Sequence, residues 1–147
     1  MQCSRQRPYY GASDIGTLAR MPPPALHALE SEVMEEMWRQ GEATVREVMD
    51  GLNRGRAKKR AYTTYMTILA RLDRKGLLTR RREGKTDVYA PLLTRDEYMD
   101  ARAGDEVETL VDEFGDIALV HFARQMGKLD RRRQEQLRRL ARRADGS

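Results

Sequence analysis

With 147 residues, 39% hydrophobic and 35% charged, and a formal net charge of +5, the chain has room for one small domain with a helical appendage. No apolar run approaches a membrane span, the N-terminus lacks the apolar middle of a signal peptide, and the lone Cys3 allows no disulfide framework, so a cytoplasmic protein is expected. The basic balance, with an isoelectric point near 9.6, favours an anionic partner, nucleic acid first.

Residues 1–24 hold Pro8, Gly11, Gly16 and the run Pro22-Pro23-Pro24 and read as a flexible tail. A first helix is expected over 25–40. Leu26, Leu29, Val33 and Met37 fall on one face, widened by Met34 and Trp38, and Gly41 ends it. Thr44 and Glu47 form a capping box that opens a second helix over 44–52, with Val45, Val48, Met49 and Leu52 as its buried stripe. The polar, basic stretch 53–60 is a loop. A third helix over 61–75 turns Ala61, Tyr65, Ile68, Leu69 and Leu72 inward and Thr63, Thr67, Ala70, Arg71 and Arg74 outward, and Gly76 stops it.

Runs 77–82 and 86–92, joined by Glu83-Gly84-Lys85, read as a β-hairpin; Val88, Ala90 and Leu92 alternate with Asp87, Tyr89 and Pro91. Thr94 and Glu97 cap a helix to about residue 113, whose apolar positions are Tyr98, Val107, Leu110, Val111 and Phe114, with Gly104 a point for a bend. A short helix over 117–126 and a last one over 130–144 follow, the latter with Leu137 and Leu140 inward and arginines outward. The fold class is therefore mostly α with a small hairpin wing: a flexible tail (1–24), a winged helix-turn-helix (25–93) and a helical dimerisation domain (94–147).

Charge is segregated along this plan. Residues 54–85 carry +10, 95–116 carry −7 and 128–147 carry +5. Helix, helix, loop, helix, hairpin is the order in which the third helix enters a DNA major groove. That groove admits one α-helix, and a helix with a small hydrogen-bonding outer face brings its backbone close to base edges. Thr63, Thr64 and Thr67 supply that face, and Met66 borders it with an apolar contact for a thymine methyl. Arg60, Tyr62, Arg71, Arg74 and Lys75 are candidates for the flanking phosphates, as are Arg82 and Lys85 on the wing beside Arg80. Tyr65 belongs to the core, whereas Tyr62 and Tyr89 serve either phosphate or packing.

The segment after Pro91 is too thin for a core of its own. Its stripe (Tyr98, Val107, Leu110, Val111, Phe114, Ile117, Val120, Phe122, Leu137 and Leu140) must meet either a second copy or the winged helix, and a symmetric partner is the commoner solution. The basic last helix either pairs with the acidic helix or adds phosphate contacts. The two histidines, His27 and His121, lie far apart. No Gly-rich phosphate loop, nucleophile–base pair or metal-ligand spacing stands out, so no enzyme, metal or cofactor is expected. Two other readings stay open: a winged-helix adaptor with an acidic protein partner, and a sequence-tolerant DNA-binding protein.

At Leu29-Glu30-x-x-Val33-Met34-x-x-x-Trp38 and at Ala61-Tyr62-Thr63-Thr64-x-Met66-Thr67-x-Leu69-x-Arg71-Leu72-x-x-Lys75-Gly76-Leu77 the chain resembles the BlaI/MecI penicillinase-repressor family, as it does at Tyr89-Ala90-Pro91 and Ala118-Leu119-Val120-x-Phe122. The resemblance spans about residues 26–144. It implies a homodimeric repressor on an inverted-repeat DNA operator with TACA/TGTA-like half-sites, and bases read from Thr63, Thr64 and Thr67. Two family features are missing. The Asn-Phe bond at which some members are cleaved is matched here by Asp105-Glu106, and the Cys-x-Cys motif of the copper-responsive branch has no counterpart.

Overall fold

The computed structural model describes residues 23–146. The expected tail therefore lies outside the described residues, apart from Pro23 and Pro24. The described elements are α1 (Ala28–Gln40), β1 (Ala43–Thr44), α2 (Val45–Asn53), α3 (Tyr62–Arg74), β2 (Leu78–Glu83), β3 (Thr86–Pro91), α4 (Arg95–Phe114), α5 (Asp116–Gly127) and α6 (Arg131–Asp145). The chain divides into two compact units, one ending at Ala103 and the other covering Gly104–Ser147. α4 runs unbroken through this division, Gly104 included.

Local chemistry explains most boundaries of the first unit. Thr44 caps α2: its Oγ1 accepts from the Glu47 amide, and the Glu47 carboxylate accepts from the Thr44 amide. α1 starts three residues later than expected, at a box the sequence reading missed, because Glu30 reaches back to the His27 amide at 3.1 Å. α3 ends where Gly76 takes φ 77°, which lets the Leu77 amide return to the Leu72 carbonyl at 3.0 Å. Ala61, expected on the inner face of α3, is instead the exposed residue that precedes the helix. Gly84 opens the hairpin turn at φ 59°, a conformation open to glycine at little steric cost.

The sheet has three strands rather than two, in the order β1-β3-β2, all antiparallel. A two-residue strand such as β1 carries no readable periodicity. It pairs Ala43 with Tyr89 and Thr44 with Val88, so β3 is central. Adjacent residues Val88 and Tyr89 are both buried, so β3 is covered on both faces here and simple alternation fails. This settles Tyr89 as a packing residue.

The core of this unit joins Val33, Met34 and Met37 of α1, Val48 of α2, Tyr65, Leu69 and Leu72 of α3, and Leu78 and Tyr89 of the sheet. Tyr98, expected on the dimerisation stripe, also belongs to it. Its ring lies 5.4 Å from that of Trp38, its hydroxyl donates to the Pro24 carbonyl at 2.9 Å, and Trp38 Nε1 donates to the Leu93 carbonyl at 2.9 Å. The first turns of α4 are thus fastened to α1, and Tyr98 is not available at a surface.

One ion pair is sealed into the packing. Glu30 is 1% exposed, and Lys75 Nζ lies 2.8 and 2.7 Å from its two carboxylate oxygens. Burial pushes the Glu30 carboxyl up. The Lys75 ammonium and the His27 amide outweigh it and hold the carboxyl below its ordinary 4.5.

Removing one partner of such a pair strands a buried charge. Lys75→Met is expected to lower stability by about 3 kcal/mol in urea unfolding at fixed protein concentration, with the double variant Glu30→Gln, Lys75→Met recovering more than half. A depressed carboxyl stabilises above its unfolded value and loses that contribution as pH falls through its folded value. The gap between wild type and Lys75→Met should therefore narrow as pH drops below the ordinary 4.5 of Glu30.

Candidate nucleic-acid interface

α3 is the element around which the candidate surface is built. Tyr65, Ile68, Leu69 and Leu72 are buried. At 100° per residue this turns Thr63, Met66 and Thr67 to the opposite side, where all three are exposed, and Met66 is 45% accessible. Thr64 is half-buried at the edge of this face, and Tyr62 is exposed at its start. The four expected base readers thus share one helix side, with Thr64 the least open.

The hydroxyls on this face are not equivalent. Thr67 Oγ1 donates to the Thr63 carbonyl at 2.9 Å, so its proton is used within the helix. What Thr67 offers outward is an acceptor lone pair and a methyl group.

The start of α3 is held by a residue that the sequence reading assigned only to a loop. Asn53 is buried, and its Nδ2 donates to the Arg60 carbonyl at 2.9 Å. Its Oδ1 accepts from the Arg60 amide at 3.1 Å and from the Tyr65 hydroxyl at 2.8 Å. One carboxamide therefore closes the basic loop 54–60 and ties it to the inner face of the helix. No local pattern signals this, because its partners lie seven and twelve residues away.

The cations sort into held and open. Arg60 is clamped by Glu32 at 2.8 Å, and Arg56 reaches the same carboxylate at 3.2 Å. The Arg60 hydrogen bond is the main reason the Glu32 carboxyl sits low, and Glu32 in turn raises the Arg60 guanidinium. On the wing, Arg81 binds Glu42 at 2.6 Å and Glu83 at 2.7 Å, which raises its guanidinium strongly. Arg82 pairs with Asp87 at 3.3 Å. Arg80 lies within 4.0 Å of both Asp73 and Asp87, and the Tyr89 hydroxyl is the largest influence raising it.

Lys58, Lys59, Arg71, Arg74 and Lys85 are exposed and have no ion-pair partner among the described residues. Lys75 is a correction. Expected at phosphate, it is turned to the buried Glu30, whose other basic neighbour, the exposed His27 ring, stands farther off at 3.9 Å.

The second unit offers a different surface. Val107, Leu110, Phe114, Ile117, Leu119, Val120, Phe122 and Leu140 are all exposed, while Val111 and Leu137 are half-buried. Beyond Gly104, Ala118 is the one buried apolar side chain among the described residues. Phe114 at 51% and Ile117 at 65% flank Gly115, where the chain turns from α4 into α5.

No helix among the described residues is long and apolar enough to cross a membrane. No group of three His, Cys, Asp or Glu side chains among them is placed to hold a metal ion.

Comparison with known proteins gives a consistent set of relatives. The transcriptional regulator BlaI of Mycobacterium tuberculosis (strain CDC 1551 / Oshkosh) is 38% identical over 101 residues, which is 67% of this chain and 72% of that protein. Among solved structures, the DNA-binding domain of the repressor BlaI is similar at 30% identity and TM-score 0.45, over 52% of this chain and 90% of that one. The Bacillus licheniformis BlaI monomeric form in complex with the blaP half-operator is similar at 30% identity and TM-score 0.43, over the same shares of the two chains. The penicillinase repressor family model matches residues 26–143, and on this match and the mycobacterial relative the chain belongs to the penicillinase repressor family.

Proposed function

We propose that this protein is a sequence-specific transcriptional repressor that binds an inverted-repeat operator as a homodimer in the bacterial cytoplasm. Thr63, Met66 and Thr67, with Thr64 at the edge, read base edges in the major groove. Arg71, Arg74 and Tyr62 flank them on phosphate, Lys85 meets the backbone from the wing tip, and Arg60 and Arg82 join after exchanging a carboxylate for a phosphate. Residues 25–93, with the first turns of α4 packed on them, form the DNA-binding domain, and the remainder of 94–147 forms the dimerisation domain, with no catalytic site, metal or cofactor in this reading.

The observation that carries the proposal is the outer side of α3. It is mostly small, polar and exposed, its opposite side is buried, and the cations next to it, Arg71 and Arg74, have no carboxylate partner among the described residues. A helix turned this way presents its backbone closely to a groove while flanking charges reach the strands.

Dimerisation is supported by the apolar side chains of the second unit. Fully burying one Leu, Val, Ile or Phe contributes about 1.5–3 kcal/mol. Several such residues stand exposed on three helices that bury little of their own. Two copies of such a surface give a closed, self-complementary interface.

Thr67 tests the base-reading face in detail. Its hydroxyl proton is committed to Thr63, so the methyl and the lone pair remain as readers. Thr67→Ser removes the methyl and Thr67→Val removes the lone pair. Each is expected to cost about 1–3 kcal/mol on the preferred site and to relax one base position, read by binding to a randomised duplex library. Arg71→Ala should weaken all sequences alike and reduce the salt slope by about one. If both Thr67 variants keep full preference, the reading face is assigned wrongly.

The interface has a separate test. Phe114→Glu with Ile117→Glu should yield a monomer in sedimentation and weaken operator binding, with the melting of the first unit unchanged. A double variant that stays dimeric would remove these residues from the interface.

A further inference from the structure

α6 (Arg131–Asp145) buries no residue and carries seven arginines against Glu135 and Asp145. At 100° per residue, Arg131, Arg132, Arg138, Arg139, Arg142 and Arg143 fall within an arc of roughly 140°. Leu137, Leu140, Ala141 and Ala144 occupy the opposite side. Arg133 falls with that apolar side, and any packing that buries the stripe turns the other six arginines outward.

These arginines differ from most in the first unit. Arg39, Arg56, Arg60, Arg80, Arg81, Arg82 and Arg95 are each paired with a carboxylate. Among the described residues, Arg131, Arg132, Arg138, Arg139 and Arg142 have no ion pair. Arg138, Arg139 and Arg142 line one open depression with Glu135. Other cations without an ion pair among the described residues include Lys58, Lys59, Arg71, Arg74 and Lys85, on α3, the loop before it and the wing tip, as well as the scattered Arg46, Arg124 and Lys128.

We propose that the arginine face of α6 is a second DNA-backbone surface, gripping phosphates of the same duplex without base choice. This rests on the DNA-binding reading above. The helix is about 22 Å long, enough to follow several phosphates at DNA's charge spacing of about 1.7 Å along the axis. Arginine forks bind phosphate oxygens in pairs.

Two other occupants fit less well. The acids of distal α4 (Asp105, Glu106, Glu108, Asp112 and Glu113) lie opposite that helix's own stripe of Val107, Leu110, Val111 and Phe114. Burying both stripes in a dimer sends both charged faces outward, away from one another. An anionic membrane wants a deep apolar side on the helix, and α6 offers two leucines, two alanines and no aromatic ring.

The test uses the full chain carrying Arg138→Gln, Arg139→Gln and Arg142→Gln, with sedimentation to check that its oligomeric state matches wild type. Binding is measured across a salt series on a long duplex carrying the wild type's preferred site and on a long random duplex. The slope of log K against log salt is expected to fall by up to about 0.9 per lost phosphate contact, equally on both duplexes, with the preference ratio preserved. The single variant Arg142→Gln, which leaves the helix less disturbed, should show about one third of that change.

An unchanged slope with preference intact overturns this proposal and leaves base reading by α3 standing. A wild type with no preference for any duplex overturns the base-reading proposal instead, while the slope still reports on α6. Phosphatidylglycerol vesicles are the third arm. Vesicle binding lost in the triple variant, with the DNA slope unchanged, would assign the face to a membrane and overturn the DNA reading.

Discussion

The rotation of α3 about its own axis decides what the rest of the molecule can do. Tyr65, Leu69 and Leu72 have no exposed surface. A helix with three side chains sealed into a core cannot turn without opening cavities worth several kcal/mol. Asn53 adds a polar lock, because its Oδ1 takes the Tyr65 hydroxyl and the Arg60 amide together. The inward side of α3 thus dictates which residues face out, and these are Thr63, Met66 and Thr67.

Charge is arranged around that fixed helix in two ways. Carboxylates at Glu32, Glu42, Asp87 and Glu83 hold the arginines of the loop and wing in place. Exposed pairs of this kind add little stability, but they give the loop and the wing a defined shape before any partner arrives. Among the described residues, cations left open cluster on α3, the loop before it, the wing tip and α6. Neutralising phosphates releases counterions and draws affinity from them without base choice. Selectivity then falls to a few small side chains on one helix, which matches a division between positioning and reading contacts.

The sequence made the long elements readable because each repeats its signal. The inward stripe of α3 recurs at Tyr65, Ile68, Leu69 and Leu72, and the Thr44–Glu47 box marks a helix start within four residues. β1 escaped because two residues show no period. Lys75 and Tyr98 were misplaced for a related reason. Each lies at a position whose local pattern fits an exposed or interfacial role, and each is claimed by a distant partner, Glu30 for the one and Trp38 with Pro24 for the other. Asn53 is the same case in reverse, a loop residue by composition and a structural lock by its long-range bonds. Tertiary contacts of this sort leave no trace in windows of ten residues.

Methyl-resolved NMR of the threonines tests the central claim most directly. A duplex selected from a random pool is added to the intact protein, and the methyl signals of Thr63, Thr64 and Thr67 are followed beside those of Thr44 and Thr94 as controls. The account predicts large shifts on the α3 threonines with the selected duplex, much smaller ones with a scrambled duplex, and little change at the controls. Tight binding with the α3 methyls unmoved, or moved alike by both duplexes, would contradict it.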